Sequence, residues 1–407
     1  MGVPVSRLVL GAASLLLLAL AVGAAVQLGR PVPALAGQSQ LAPSYLVSGG
    51  AVALPWPDQG EAALYLSGFG WLGSTGLEGS VPIASVTKIM TALVILRSDP
   101  LQAGGSGPTI TVTSADLALY QGELTQGDSV VRVESGETLT ELQALEGLLL
   151  PSGDNLAALL ADWQAGSEAA FVAEMDQLAG TLHLEQTHFT DSSGLDPGSV
   201  SSARDLVVLA TVAMRNPVFA SIVAMPTVSL PVAGTVRNYN PILGQGGVIG
   251  IKTGWTESAL GCLVFAARQT VGGRPVQLIG AVLGQPGGPE TGLAAAGREA
   301  SLLLAAGEAE LHQTRLPAGG SVVGEVNSKW TAPLAARVSH SVWLIGVAGA
   351  RLHLDLLWQR PRAPLRRGED VGSLTVTTPG GFHFHETVVV NRKLAAPDWW
   401  WRLTRSL

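Results

Sequence analysis

Two of the four lysines in this 407-residue chain sit in short motifs with chemical content, Ser85-Val86-Thr87-Lys88 and Lys252-Thr253-Gly254. Every other strong cation except Lys329 and Lys393 is an arginine. Arginine stays protonated at any working pH, whereas a lysine sheds its proton when desolvated. A lysine one helical turn after a serine lies on the same face and can take the hydroxyl proton, which activates a weak nucleophile. A buried site and a second cation nearby both favour its neutral form, and Lys252 is the candidate second cation. Lys252 and the Thr253 hydroxyl suit a substrate's terminal carboxylate. Gly254 is expected to let a substrate backbone come close. The helix N-terminus at Ser85 and the Trp255 N–H are candidate donors to an oxyanion. The chemistry predicted is acyl transfer through a serine. Ser-x-x-Lys alone is a weak signal, and the weight lies in both motifs occurring in this order, a domain's length apart.

The elements that must hold these residues are legible in outline. Ser85 to Leu96 reads as a helix that is apolar nearly all round, hence buried at a domain centre. Thr138 to Ala165 reads as one or two helices interrupted at Pro151-Ser152-Gly153. Ser202 to Met214 is another helix, capped by Ser201 or Ser202, with Arg204 and Asp205 fixing its start. Gly250 to Ala267 is strand-like, and Pro275 to Leu283 is a partner strand. Helices with an antiparallel sheet predict an α+β fold. From about Leu311 the texture changes to short β-rich runs, Val322–Val326, Val342–Gly346, Leu352–Leu357, Ser373–Val376 and Glu386–Val390, as in a small all-β sandwich. The predicted division is 1–36 as signal peptide or membrane anchor, 37–310 as catalytic domain, 311–395 as β-rich domain and 396–407 as a Trp-rich tail.

Composition narrows the classes. A single cysteine, Cys262, excludes an intramolecular disulfide and a cysteine-based metal cluster, and in its strand-like run it reads as a core residue. Arg7 followed by the apolar run Leu8 to Val26, with Ala34-Leu35-Ala36 after it, reads as an export signal cleaved after Ala36. The run is nearly long enough to span a bilayer, so an uncleaved anchor is the alternative. In both cases the remainder lies outside the cytoplasm. The net charge of −7 is uneven. Residues 311–407 hold twelve basic against six acidic side chains, so an acidic body is joined to a basic end that suits an anionic membrane surface. Trp399-Trp400-Trp401 beside Arg402 and Arg405 suits the headgroup level of a membrane. No basic stripe with interleaved aromatics points to nucleic acid. The histidines form no H-E-x-x-H, and His383 and His385 read as one strand face. No metal or cofactor is expected. The absence of G-x-S-x-G disfavours an α/β-hydrolase.

At this point the chain resembles a family. Ser85-x-x-Lys88 and Lys252-Thr253-Gly254 are similar to the first and third motifs of the penicillin-binding, serine-type D-alanyl-D-alanine carboxypeptidases. Ile83 to Ala92 resembles the nucleophile helix of that family. Leu148 to Asn155 resembles its middle motif, and Thr187–Leu195 with Ala203–Leu206 resembles its connecting segment. Val248 to Thr256 resembles its substrate strand. Pro361–Gly372 with Val388–Val390 resembles its β-rich module, which ends in an amphipathic anchor. The resemblance spans about residues 42–407. It implies a β-lactamase/transpeptidase-like catalytic domain followed by a β-sandwich. It implies an acyl-enzyme on Ser85, Lys88 as its base, Ser152 as a proton relay, and a substrate site of Lys252, Thr253, Gly254 and Trp255, with Asp154 at the middle motif. The implied substrate is the peptidoglycan pentapeptide, with β-lactams as covalent inhibitors and the outer face of the cytoplasmic membrane as the location. One position departs. The third residue of the middle motif should be Asn, and here it is Asp154, with Asn155 one place later. An anionic Asp154 beside Lys88 would favour the ammonium and weaken it as a base. It can instead pair with Lys252, or stand protonated and mimic an amide. Two other readings use the same residues. A class A β-lactamase would need an E-x-x-L-N stretch, which is missing between Ser152 and Lys252. A wall-binding pseudoenzyme would tolerate Asp154.

Overall fold

The computed structural model describes residues 5–50, 52–75, 79–102 and 104–406. Its centre is a five-stranded antiparallel sheet in the order Val248–Thr256, Leu260–Val271, Arg274–Gln285, Glu61–Leu66, Gly70–Ser74. Both faces of this sheet are covered, so its strands are apolar at successive positions rather than alternately polar. Cys262, Val264 and Ala266 turn one way, into a core shared with the helices Lys88–Ser98, Glu141–Leu149, Asp154–Ala165 and Ala203–Ala213. Leu263, Phe265 and Ala267 turn the other way, onto Ala296, Ala300 and Leu303 of the helix Pro289–Ala309. Each fully buried Leu, Ile or Phe in these layers contributes about 1.5–3 kcal/mol. The stretch read as one strand-like run, Gly250 to Ala267, is a hairpin whose turn falls at 257–259. The break at Pro151-Ser152-Gly153 separates two helices as predicted.

The C-terminal β-rich unit is a seven-stranded antiparallel sheet with a two-stranded ribbon, Leu311–Leu316 with Val342–Val347, sharing its core. All five strand runs read from the sequence are present there. The N-terminal boundary differs from the sequence division. Ala36–Ser39 pairs with Val322–Asn327 at one edge of the seven-stranded sheet, and Ser44–Leu46 pairs with Arg351–Trp358 at the other. Residues 36–46 therefore belong by pairing to the C-terminal unit, and the central sheet begins at Glu61. Four- and three-residue strands are too short to announce their partner in sequence, because pairing between distant segments is a tertiary choice. The two units touch where Gly380 N donates to Phe69 O at 3.0 Å. A side chain at Gly70 would meet the Gly380 nitrogen there at 2.7 Å.

The helix Val5–Gly29 extends the predicted apolar run at both ends. Its stretch Val9–Gly29 is long and apolar enough to cross a membrane, and none of it is buried. Cys262 is fully buried, and burial pushes its thiol up to about 12, which makes it inert. The His383 and His385 rings stack on a strand surface as read, each beside a threonine hydroxyl. Among the described residues no group of three or more potential metal ligands occurs.

Candidate active site

Ser85 does not open an α-helix as expected. It lies on a 3-10 turn, Ala84–Thr87, which feeds the α-helix Lys88–Ser98. The difference has a geometric consequence. A 3-10 turn has 3.0 residues per turn, so side chains at i and i+3 eclipse. Ser85 and Lys88 are thereby superimposed, and Lys88 Nζ donates to Ser85 Oγ at 2.9 Å. The turn is entered through Ala84 at φ 49°, a left-handed conformation that a β-carbon disfavours and that concentrates at functional sites.

Lys88 is completely buried, and its ammonium has three donors with three acceptors: Ser85 Oγ, Asp154 Oδ1 at 2.5 Å and Ser193 O at 2.8 Å. Asp154 is the first residue of its helix, where the dipole favours a negative charge. Its second oxygen accepts from Ser129 N at 3.1 Å, and its own N–H donates to Ser129 O at 2.7 Å. Of the sequence alternatives, the structure selects pairing with Lys88. Asn155, the amide displaced by one place, turns away. Its side chain donates to Val131 O and accepts from Val131 N, both at 2.9 Å, and so clamps the neighbouring loop. Ser152 sits at φ 65° just before this helix, and its buried hydroxyl has no hydrogen-bond partner among the described residues. An unpaired buried hydroxyl costs about 1–3 kcal/mol, which a reacting group arriving there would relieve.

The opposite wall is Val248–Thr256, an edge strand of the central sheet with one side unpaired. An unpaired edge offers alternating N–H and C=O groups to an extended peptide. Lys252 is buried under it, and its ammonium donates to Thr253 O at 2.9 Å. Burial above all, and Lys88 after it, hold Lys252 well below the usual ammonium range, while Asp154 pulls the other way. Gly254 has a different use from the one expected. A β-carbon there would lie 2.9 Å from Ser85 N and 3.0 Å from Ile83 O, so glycine is what lets the strand cross the serine turn. The Trp255 indole is pinned by a bond from Nε1 to Gly287 O at 2.9 Å.

Ser85, Ser152, Asp154, Thr253, Gly254 and Trp255 line one cleft of about 800 Å³, with Lys88 and Lys252 buried close by. Every residue singled out for the site is thus brought together. Sequence reading missed Asp191. One of its oxygens accepts from Ser193 Oγ, Gly194 N and Leu195 N at 2.7–2.9 Å, and the other accepts from Ser199 Oγ at 2.5 Å. This knot fixes the loop that delivers Ser193 O to Lys88 and Leu195 to the cleft. A β-carbon at Gly194 would collide with Ala84 O at 1.9 Å, so the loop and the serine turn are fitted to each other. Glu123 lies outside the cleft lining but within electrostatic reach of Asp154. Burial, reinforced by Asp154 and Asp128, pushes its carboxyl up to about 7. Asp205 does more than start its helix. It accepts from Gln186 N and Thr187 Oγ1, while Arg204 stacks over Trp71.

The chain is similar in sequence and in fold to known proteins. The chain is 40% identical over 200 residues to D-alanyl-D-alanine carboxypeptidase DacB2 of Mycobacterium tuberculosis, covering 47% of this chain and 64% of that protein. It is 37% identical over 216 residues to a D-alanyl-D-alanine carboxypeptidase of Streptomyces sp. K15, covering 49% and 71%. Against D-alanyl-D-alanine carboxypeptidase DacA of Escherichia coli it is 34% identical over 208 residues, about half of each chain. Among solved structures, the Streptomyces K15 DD-transpeptidase aligns with a TM-score of 0.56 at 30% identity, over 63% of this chain and all of that one. Penicillin-binding protein 5 of Haemophilus influenzae aligns over 84% of this chain and 99% of its own, with a TM-score of 0.60 at 21% identity, so it shares the fold of both units. The model of the D-alanyl-D-alanine carboxypeptidase family matches residues 72–287, the segment that contains both paired motifs, from Ser85 to Gly254. By that match and by the placement of its paired motifs, the chain belongs to the D-alanyl-D-alanine carboxypeptidase family.

Proposed function

We propose that the protein is a serine-type D-alanyl-D-alanine carboxypeptidase that trims peptidoglycan stem peptides outside the cytoplasmic membrane. The observation that carries this reading is the 2.9 Å contact from Lys88 to Ser85 Oγ at the foot of a cleft edged by an unpaired strand. The stem peptide lies along Val248–Thr256 as an added strand, its terminal carboxylate held by Lys252 and Thr253. Lys88, in its neutral form, takes the Ser85 proton. Ser85 Oγ then bonds to the carbonyl carbon of the penultimate D-alanine, and the oxyanion rests on the Ser85 and Trp255 N–H groups. The C–N bond breaks as Ser152 passes its proton to the departing D-alanine and takes the proton that Lys88 carries, which leaves Lys88 neutral again. Water, deprotonated in turn by Lys88, hydrolyses the ester and restores Ser85. Penicillins, which mimic the terminal dipeptide, acylate the same oxygen. In this reading residues 61–310 catalyse, the β-rich unit sets the cleft at a distance from the membrane, and the N-terminal helix and the Trp-rich tail attach it there. The test is release of D-alanine from a synthetic pentapeptide. Wild type is expected to release one equivalent per peptide, with no further trimming. Release of an internal residue instead, or of nothing from folded protein, would overturn the carboxypeptidase assignment.

A further inference from the structure

The two ends of the chain meet. Val9–Gly29 has a mean hydropathy of 2.5, and none of it is buried. At 1.5 Å per residue such a span is about 30 Å long, the thickness of a bilayer's hydrocarbon core. A few residues later Leu35 is buried in the β-rich core and Ala36 pairs with Asn327, so the helix leaves directly from the folded unit.

The last carbonyls of a helix have no partners within it. Here the C-terminal tail supplies them. The Arg405 guanidinium donates to Gln27 O at 3.3 Å, Arg30 O at 2.8 Å and Pro31 O at 3.0 Å. Arg402 donates to Leu28 O, and the Gln27 side chain donates back to Arg405 O at 2.7 Å. Two arginines thus meet the negative end of the helix dipole.

The tail is itself seated on the β-rich unit. Asp398 caps the helix Trp399–Thr404 by accepting from Trp401 N at 2.8 Å. The Trp401 ring lies 5.5 Å from that of Trp330, with Arg405 over its face. Trp399 and Trp400 are left 66% and 59% exposed, beside the point where the apolar helix emerges. Indoles at the end of an apolar span belong at the headgroup level of a bilayer.

We propose that Val5–Gly29 is retained in the mature protein and that Arg402 and Arg405 lock the tail to its outer end. The two chain ends then form one anchor, with Trp399 and Trp400 in the headgroup layer of a lipid bilayer. Cleavage after Ala36, the outcome expected from Ala34-Leu35-Ala36, would remove Gln27, Leu28, Arg30 and Pro31, the acceptors these arginines hold.

The test uses the full chain, exported in a bacterial host and purified from membranes. Its intact mass is expected to include Arg7 to Gly29, and a mature protein beginning at Gly37 overturns the proposal. The same protein is placed in phosphatidylcholine–phosphatidylglycerol vesicles whose acyl chains are brominated near the headgroups. Tryptophan quenching is expected to fall clearly in Trp399→Phe/Trp400→Phe. In Arg402→Ala/Arg405→Ala about half or more of the Trp399- and Trp400-dependent quenching is expected to vanish, although the helix still holds the protein in the membrane. Equal quenching in wild type and the tryptophan variant, or an unchanged signal in the arginine variant, overturns the lock. Penicillin labelling reports the catalytic unit in each sample and stays at the wild-type level, so failure here is distinguishable from failure of the carboxypeptidase reading.

Discussion

Lys88→Ala slows acylation of Ser85 by about 10³-fold, within the range that removal of a positioned general base produces. The expectation follows from the eclipsed 3-10 geometry. No other amine reaches the Ser85 hydroxyl among the described hydrogen bonds, and Asp154, a carboxylate lining the same cleft, is already engaged by Lys88 and Ser129. Arginine is no substitute, because a guanidinium does not give up its proton. Lys88→Arg should therefore be as slow as Lys88→Ala. Stopped-flow acylation with a chromogenic cephalosporin measures both. A Lys88→Arg variant within tenfold of wild type would show that the lysine serves as a fixed charge and not as a base.

Asp154→Ala destabilises the protein by about 3–5 kcal/mol, because it leaves a buried ammonium without its counter-charge. Chemical denaturation measures this directly. The subtler variant, Asp154→Asn, keeps the shape of the contact and removes the charge. Its main effect is expected on Lys252. That lysine is held well below the usual ammonium range by burial and by Lys88, and Asp154 opposes them. Without it Lys252 falls further. A carboxylate clamp works only while protonated, so its grip is lost as pH rises through the Lys252 value. The alkaline limb of kcat/KM for a pentapeptide should then move toward lower pH, because the charge that favours the Lys252 ammonium is gone. The loss should appear in KM more than in kcat. An alkaline limb that does not move in Asp154→Asn would show that the charge stops at Lys88.

The chemistry was more legible in the sequence than the scaffolding. Ser85 and Lys88 were readable because a three-residue spacing is local, and Lys252-Thr253-Gly254 because lysine is so rare here. The α+β class and the later β-rich unit followed from periodicity and turn residues. Three things were not readable. The left-handed entry at Ala84 is imposed by the crossing strand at Gly254 and by the loop at Gly194, which press on the same turn from elsewhere in the chain. The pairing of 36–39 and 44–46 with strands about three hundred residues later depends on a register that short segments do not encode. Asp191 resembled any turn aspartate, since its value comes from five donors gathered only on folding. Asp154 was flagged by its sequence alone, but its partner was left open among Lys88, Lys252 and a proton. The 2.5 Å contact to Lys88 decides it.

The most direct measurement is the mass of the adduct formed with a penicillin, mapped by peptide to a residue and repeated in Ser85→Ala. A long-lived penicilloyl group on the peptide holding Ser85, absent from the variant, is the predicted result. An adduct that disappears within seconds would point to a β-lactamase, and no adduct on folded wild-type protein would contradict Ser85 as an activated nucleophile.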